Sequence, residues 1–308
     1  MLSPAQRLRF IVVMSAGAMA LNLRDAIVKV VAPDSAIGRS RRAAAAFQST
    51  FLSPIFIATP LQGIEAQLAL PDQPPAALVL LCHGIGERFY FWREVQHLLA
   101  ASGIASLVFH YPGYGRSTGF FTPENADASA HAACAYLRGL APDAPLFVFG
   151  TSLGTAVAAH VSGMLSPAPA GLILAQGFTT LREAAKSVLR TAHLPTALCK
   201  LLPDTWRNTQ ALTATRCTIL IVHGESDYLF PVAMGQELFS SAQLRPGCRQ
   251  SLLTPAGFDH SDPMLGPMVK AYWHPILEFI LAESRHFSRN ADAVTTIPAT
   301  PSTLPTTT

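Results

Sequence analysis

Three residues with side chains suited to nucleophilic catalysis lie far apart along the chain, each in a glycine-containing segment. Ser152 lies in Gly-Thr-Ser-Leu-Gly (150–154), Asp227 in His-Gly-Glu-Ser-Asp (223–227) and His260 in Gly-Phe-Asp-His (257–260). A serine hydroxyl is a poor nucleophile until a base accepts its proton, and the base needs an acid to fix its tautomer. We therefore consider Ser152 as a nucleophile, Asp227 as the acid and His260 as the base.

The sequence around Ser152 predicts the turn that such a nucleophile requires. A short run of bulky apolar residues, 146–149, is typical of a buried parallel strand, and the Ala/Val-rich sequence after Gly154 predicts a helix. Strand, G-x-S-x-G and helix together form a nucleophile elbow, in which a strained turn projects the hydroxyl from the sheet. A bare G-x-S-x-G match recurs by chance, so the flanking elements carry this prediction.

The acid and the base are expected on loops that follow later strands, the acid first. Asp227 follows a predicted strand at 218–222, with Glu225 as a local alternative, and His260 follows the last predicted strand. The carboxyl ends of parallel strands are where an open α/β sheet carries its active loops. Other histidines end strands (83 and 223) or lie on helices (131 and 160), and they are interpreted as structural.

An oxyanion would be held by main-chain donors. The first is the N–H of Leu153, which follows the nucleophile at the start of a helix. The second is the N–H of Ile85 in His-Gly-Ile-Gly (83–86), which directly follows a predicted strand.

Alternating strand-like and helix-like runs predict an α/β fold, a mainly parallel twisted sheet with helices on both faces. An antiparallel lead-in hairpin is expected at 47–60 and 64–70. Further strands are predicted at 77–82, 104–110, 146–149, 172–175, 218–222 and 251–254, and helices at 90–101, 124–139, 152–163, 181–202, 232–241 and 265–283.

Five segments in order, 83–86, 111–119, 150–154, 223–227 and 257–260, resemble the α/β-hydrolase superfamily across residues 47–285. The Gly-Tyr-Gly-Arg-Ser-Thr-Gly loop at 113–119 is similar to the branch of serine esterases, acyl-protein thioesterases, monoacylglycerol-type lipases and serine aminopeptidase-like hydrolases. The resemblance implies an α/β-hydrolase fold with a small helical cap at about 177–212. Two positions depart from that branch: His110 stands where an Asp is usual, and Cys217 where a Pro is common.

The chain divides into four predicted segments. Residues 1–32 form an apolar N-terminal segment, 33–46 a linker, 47–287 the hydrolase domain with its cap, and 288–308 a Thr/Pro-rich tail expected to be disordered. Arg7 and Arg9 precede an uncharged run, 10–23, that is shorter than a spanning helix and fits a signal peptide. Apolar sequence resumes after Asp25, which fits an uncleaved helix. Export, or membrane association through residues 7–31, is favoured over a cytoplasmic packing helix.

The composition excludes several classes of protein. A net charge of +3 is too small to favour nucleic acid, and five cysteines without a C-x-x-C predict no metal site. The glycine pairs lack the spacing of a nicotinamide or P-loop site, so no cofactor is expected. Cys82 and Cys217 are interpreted as core residues, with one adventitious disulfide left open.

The function indicated is a serine hydrolase that cleaves a carboxylic ester or thioester through an acyl-enzyme. The cap sequence is apolar, which favours an apolar acyl group on a small-molecule or acylated substrate, although the same residues could instead pack on the sheet. The aromatic run 89–92 could line the pocket that binds this acyl group, with two of its members facing the core. An acyltransferase or a serine peptidase could use the same three residues, and a non-catalytic binding protein is the third alternative.

Overall fold

The computed structural model describes residues 52–295 except 61, 192, 194, 202–204, 244, 245 and 265. The predicted N-terminal segment and linker therefore lie outside the described residues. The strands are β1 (Leu52–Ala58), β2 (Gly63–Ala69), β3 (Ala77–Cys82), β4 (Ile104–Phe109), β5 (Leu146–Thr151), β6 (Gly171–Ala175), β7 (Thr218–Val222) and β8 (Gln250–Leu253). The helices are α1 (Phe89–Ala101), α2 (Pro123–Leu140), α3 (Gly154–Met164), α4 (Leu181–Thr191), α5 (Asn208–Thr213), α6 (Val232–Ser241) and α7 (Val269–Thr295), with a 3₁₀ helix at Thr196–Leu201.

The strands form one eight-stranded sheet in the order β1-β2-β4-β3-β5-β6-β7-β8. The predicted hairpin is present, since β1 and β2 pair antiparallel and β2 also pairs antiparallel with β4. Each remaining neighbouring pair is parallel. The predicted α/β fold is therefore confirmed.

Alternation along the central strands creates two apolar cores, one on each face of the sheet. In β3, Leu78 and Leu80 pack with α2 and α3 on one face, whereas Val79 and Leu81 pack with α1 and α7 on the other. Each of these four side chains is fully buried. A strand covered on both faces reads as a continuous apolar run, which is the pattern of residues 77–82.

The register of the parallel strands aligns their carboxyl ends at one edge of the sheet. Cys82 pairs with Gly150, Thr151 with Ala175, Ala175 with Val222 and Val222 with Leu253. The loops that follow β3, β5, β6, β7 and β8 therefore leave the sheet side by side. These loops contain the residues that the sequence selects for chemistry.

Two predicted helices differ from the observed ones. The helix expected at 181–202 is divided into α4 and the 3₁₀ helix, with Pro195 between them. Proline interrupts a helix because it has no N–H donor and restrains the residue before it. The last helix begins at Val269 rather than at 265 and continues to Thr295, beyond its predicted end at 283, and no glycine or proline occurs between 276 and 297 to stop it. The rest of the predicted tail, 296–308, lies outside the described residues. Helix α5 was not predicted.

Candidate active site

Ser152 occupies a strained turn between β5 and α3. Its φ is +52°, a left-handed conformation that is uncommon for a residue with a side chain. Its N–H donates to Ala175 O at 3.1 Å, which fixes the turn against β6. A Cβ on Gly150 would run into the backbone of Gly154, and one on Gly154 would run into the carbonyl oxygen of Cys82. Glycines at both positions therefore let α3 pack close to the sheet.

The structure brings Ser152, His260 and Asp227 into one hydrogen-bonded chain. His260 Nε2 lies 3.0 Å from Ser152 Oγ, and His260 Nδ1 lies 2.9 Å from Asp227 Oδ2 and 3.0 Å from Oδ1. A carboxylate can only accept, so the ring proton belongs on Nδ1 and Nε2 is left to accept from the serine hydroxyl. This arrangement can transfer the hydroxyl proton to His260.

The carboxylate of Asp227 is fixed by backbone donors as well as by the imidazole. Its Oδ1 accepts from Leu229 N–H and Phe230 N–H, both at 2.8 Å, and its side chain is fully buried. The Phe230 ring stands edge-on to the His260 ring at 5.0 Å. These contacts fix the positions of the Asp227 carboxylate and the His260 ring. Glu225, the alternative acid, is exposed.

A second histidine, His223, lies against the same carboxylate. Its Nε2 is 3.5 Å from Asp227 Oδ2 and 3.1 Å from the carbonyl oxygen of Phe230, which can only accept. Burial lowers the pKa of His223, so its ring is neutral and Nε2–H donates. His223 therefore supports the acid loop, in line with its predicted structural role.

The two predicted oxyanion donors lie on segments that flank Ser152. Leu153 follows the serine at the N-terminal end of α3, with helical backbone angles. Ile85 follows Gly84, whose position is so close to the serine that an added Cβ would lie 3.2 Å from Ser152 Cβ. Tyr111 Oη donates to His83 O at 2.8 Å, which anchors the start of this loop.

Glu87 is a buried carboxyl group beneath the same loop, and sequence reasoning missed it. Its Oε2 accepts from Trp92 Nε1–H at 3.0 Å, and its side chain also receives a hydrogen bond from the Gly84 backbone. Burial raises the pKa of Glu87 to about 8. The nearby His83 is also buried, and burial lowers its pKa to about 3. Both groups are therefore uncharged at neutral pH.

Glu65 compensates for the histidine at position 110. His110 Nδ1 lies 3.1 Å from Glu65 Oε2, which also accepts from Arg116 N–H at 2.8 Å, and Arg116 Nε–H donates to Oε1 at 2.9 Å. Burial alone would raise the pKa of Glu65, but these hydrogen bonds hold it below its usual value. A carboxylate on β2 thus binds both His110 and the loop that contains Arg116.

Several apolar residues assigned to the cap belong to the core. Phe178, Leu181 and Trp206 are buried in the same cluster as α2 and α3, which fits the alternative of packing on the sheet. In the aromatic run, Phe91 and Trp92 lie on the buried face of α1, so two members face the core as expected. All five cysteines lie in the described part and are free, and Cys82 and Cys217 are buried.

Gln176 is the other site residue that the sequence did not reveal. It follows β6, has a φ of +50° and is fully buried. Its side chain accepts from Gly224 N–H and donates to Asp259 O. A polar residue directly after a parallel strand was the available signal, because that edge carries the active loops.

Comparison with known proteins gives matches to part of the chain. A family model, Hydrolase_4, described as serine aminopeptidase, S33, matches residues 73–194. The protein Rv2307c of Mycobacterium tuberculosis is 30% identical over 190 residues, which cover 61% of this chain and 64% of that protein. Lysophosphatidylserine lipase ABHD12 of Macaca fascicularis is 28% identical over 185 residues, which cover 54% of this chain and 45% of that protein. The chain thus aligns with less than two thirds of the length of either relative.

Solved structures agree on the fold. The esterase Pf2001 of Pyrococcus furiosus superposes with a TM-score of 0.60 at 16% identity, over 77% of this chain and 92% of that one. Within the described residues, no helix is long and apolar enough to span a membrane. The mostly parallel sheet, the elbow at its carboxyl edge and these matches lead to one conclusion: the chain has the α/β-hydrolase fold.

Proposed function

We propose that the chain is a serine hydrolase that cleaves a carboxylic ester or thioester with an apolar acyl group. The observation that carries this proposal is the hydrogen-bonded chain from Ser152 Oγ through His260 to Asp227, with contacts of 3.0 and 2.9 Å. The family model and the lipase relative support a hydrolytic reaction. The relative's name also favours an ester that contains an acyl chain.

The proposed reaction proceeds in two steps. His260 Nε2 accepts the hydroxyl proton as Ser152 Oγ attacks the carbonyl carbon, and the oxyanion receives hydrogen bonds from the N–H groups of Ile85 and Leu153. The imidazolium then protonates the leaving alcohol or thiol, which leaves an acyl-serine. In the second step His260 accepts a proton from a water that attacks the acyl carbon, and it returns that proton to Ser152 Oγ as the acid leaves. Asp227 stabilises the imidazolium that forms in each step.

Fluorophosphonate labelling tests the nucleophile. The unchanged chain should be labelled, and Ser152→Ala should lose both labelling and hydrolysis of p-nitrophenyl butyrate, by about 10⁴-fold or more in kcat. Ser162→Ala is the matched control, because Ser162 is a buried serine on α3, the helix that follows Ser152. Equal labelling of the unchanged chain and Ser152→Ala would show that Ser152 is not the nucleophile.

The identity of the acid is tested with two carboxylates of the same loop. Asp227→Asn should lower kcat by about 10⁴-fold, because an amide no longer fixes the proton on Nδ1. Glu225→Gln should leave kcat unchanged, since that side chain is exposed. Similar losses in both variants would contradict the assignment of Asp227.

An aminopeptidase is the second candidate, because the matching family model is described as serine aminopeptidase. Rates on aminoacyl p-nitroanilides, compared with p-nitrophenyl esters of increasing chain length, separate the two reactions. The proposed ester hydrolase should favour the esters and show a preferred acyl length. Faster cleavage of the anilides by the same Ser152-dependent activity would favour the peptidase.

A further inference from the structure

The end of β6 and the residue that follows it are hydrogen-bonded to each of the three segments that carry the candidate triad. Ala175 O accepts from Ser152 N–H at 3.1 Å. The next residue, Gln176, accepts from Gly224 N–H at 2.8 Å through Oε1 and donates to Asp259 O at 2.5 Å through Nε2. Gly224 lies three residues before Asp227, and Asp259 directly precedes His260. One side chain therefore bridges the acid loop and the base loop.

The chemistry of this bridge requires a side chain that is both a donor and an acceptor, as an amide is at every pH. One partner is a backbone N–H and the other is a backbone carbonyl, so the bridging group must offer one acceptor and one donor. A carboxylate has no donor, and an apolar side chain has neither. Gln176 is fully buried, so water does not readily replace a lost partner.

Backbone strain at Gln176 fits a position held by its surroundings. Its φ is +50°. The other described non-glycine residues with a positive φ are Ser152 and two residues of the cap region, His193 and Trp206. Its N–H donates to Val222 O at 2.9 Å, which extends the pairing with β7 by one residue. Such a conformation persists only where neighbouring contacts over-determine it.

Two further hydrogen bonds join the acid loop directly to the base loop. Glu225 N–H donates to Pro255 O at 3.2 Å, and Ser226 N–H donates to Phe258 O at 3.1 Å. These bonds hold the loops together without fixing the pair relative to Ser152. Gln176 supplies a link from the same pair of loops to β6, which is the strand that also binds the serine turn.

We propose that Gln176 is a positioning residue that fixes the loops of Asp227 and His260 relative to Ser152. This inference rests on the proposed function. Without the amide, the base loop is free to shift, and a displacement of about 1 Å between reacting groups can cost about 100-fold in rate. The effect falls on kcat, because proton transfer depends on the distance between Nε2 and Oγ.

Two substitutions separate this role from a general packing role. Gln176→Met removes both hydrogen bonds with little change in length, and we expect kcat for p-nitrophenyl butyrate to fall about 10- to 100-fold at every pH, with KM within about twofold. Gln176→Glu restores the donor and acceptor only while its carboxyl group is protonated. Burial favours that neutral form. We therefore expect Gln176→Glu to approach the unchanged chain at low pH and to fall toward Gln176→Met as pH rises.

Each variant's kcat is expressed as a ratio to that of the unchanged chain at the same pH, which cancels the pH dependence common to both proteins. The matched control is Gln96→Met, since Gln96 is also a fully buried glutamine whose Nε2 donates to backbone carbonyls, here of Gln67 and Ser106. Gln96→Met should lower the melting temperature without changing kcat. A pH-independent ratio near one for Gln176→Glu, together with normal kcat for Gln176→Met, would overturn the role of Gln176.

Failure of the proposed function gives a different result. In that case the unchanged chain itself would lack Ser152-dependent hydrolysis and labelling, and the positioning role would fall with it. If Gln176→Met does not fold, as judged by circular dichroism, the pH-dependent ratio of Gln176→Glu decides the question alone.

Discussion

At the scale of single residues, burial determines which side chains are charged around the candidate site. Glu87 and His83 lie in the loop after β3, and both are driven to their neutral forms because water is excluded. Asp227, by contrast, is fully buried and still has three hydrogen-bond donors. These donors satisfy the buried oxygen atoms of the Asp227 side chain. The same type of side chain thus serves two purposes, according to its partners.

Glu87 predicts a specific dependence of stability on pH. Its folded pKa of about 8 lies above the ordinary value of 4.5, so the folded state binds more protons than the unfolded state between those values. The contribution of Glu87 to the free energy of unfolding is fully present below about pH 4.5 and is lost as pH rises through about 8. The loss has a limiting slope of about 1.4 kcal/mol per pH unit.

Glu87→Gln should remove that slope, because an amide does not titrate and still accepts from Trp92 Nε1–H. Urea unfolding at intervals from pH 4.5 to 8.5 measures the effect, and the variant should gain stability relative to the unchanged chain as pH rises. Glu94→Gln is the matched control, since Glu94 is exposed on α1. Parallel stability curves for Glu87→Gln and the unchanged chain would contradict the prediction.

At the scale of elements, the close packing of α3 against β3 sets the height of the serine above the sheet. Gly154 is the first residue of α3, and it lies against the carbonyl oxygen of Cys82. A methyl group there must push the helix away from the strand. Because Ser152 lies only two residues earlier, its hydroxyl would move with the helix.

Gly154→Ala should therefore lower the free energy of unfolding by about 1–3 kcal/mol, as overpacking does, and slow labelling by a fluorophosphonate. Gly139→Ala is the control, because Gly139 is also a helical glycine but a Cβ there meets no atom within 4 Å. That change should be neutral or stabilising by up to about 1 kcal/mol. Unaltered stability and labelling in Gly154→Ala would show that the packing at this point is not needed.

At the scale of the whole molecule, the sheet, both apolar cores and all the candidate site residues lie between residues 52 and 295. A chain that begins at residue 47 should therefore retain kcat on p-nitrophenyl butyrate within about twofold. We propose that residues 1–32 determine where the protein resides. Because their charge and hydropathy pattern favours export or membrane association, cell fractionation should find the full chain outside the soluble cytoplasmic fraction and the shortened chain within it. The same fraction for both chains would contradict this role.

Much of this protein was predictable from local sequence. The apolar runs of β3 and β7 gave their observed bounds, because strands buried on both faces must be apolar at every position. Chain order and turn residues pointed to Ser152, Asp227 and His260, whose roles remain a proposal. Helix bounds were less predictable: α7 passes its expected end at 283, and Pro195 divides the expected helix 181–202.

Tertiary structure alone decided what the buried polar side chains do. Glu65 replaces the carboxylate missing at position 110, Glu87 is neutral, and Gln176 joins two loops that are 48 and 83 residues away along the chain. Local sequence encodes periodicity and turn preference, which depend on neighbouring residues. Burial and hydrogen-bond partners instead depend on segments brought together by sheet register, so the chemistry of these groups follows only from the folded chain.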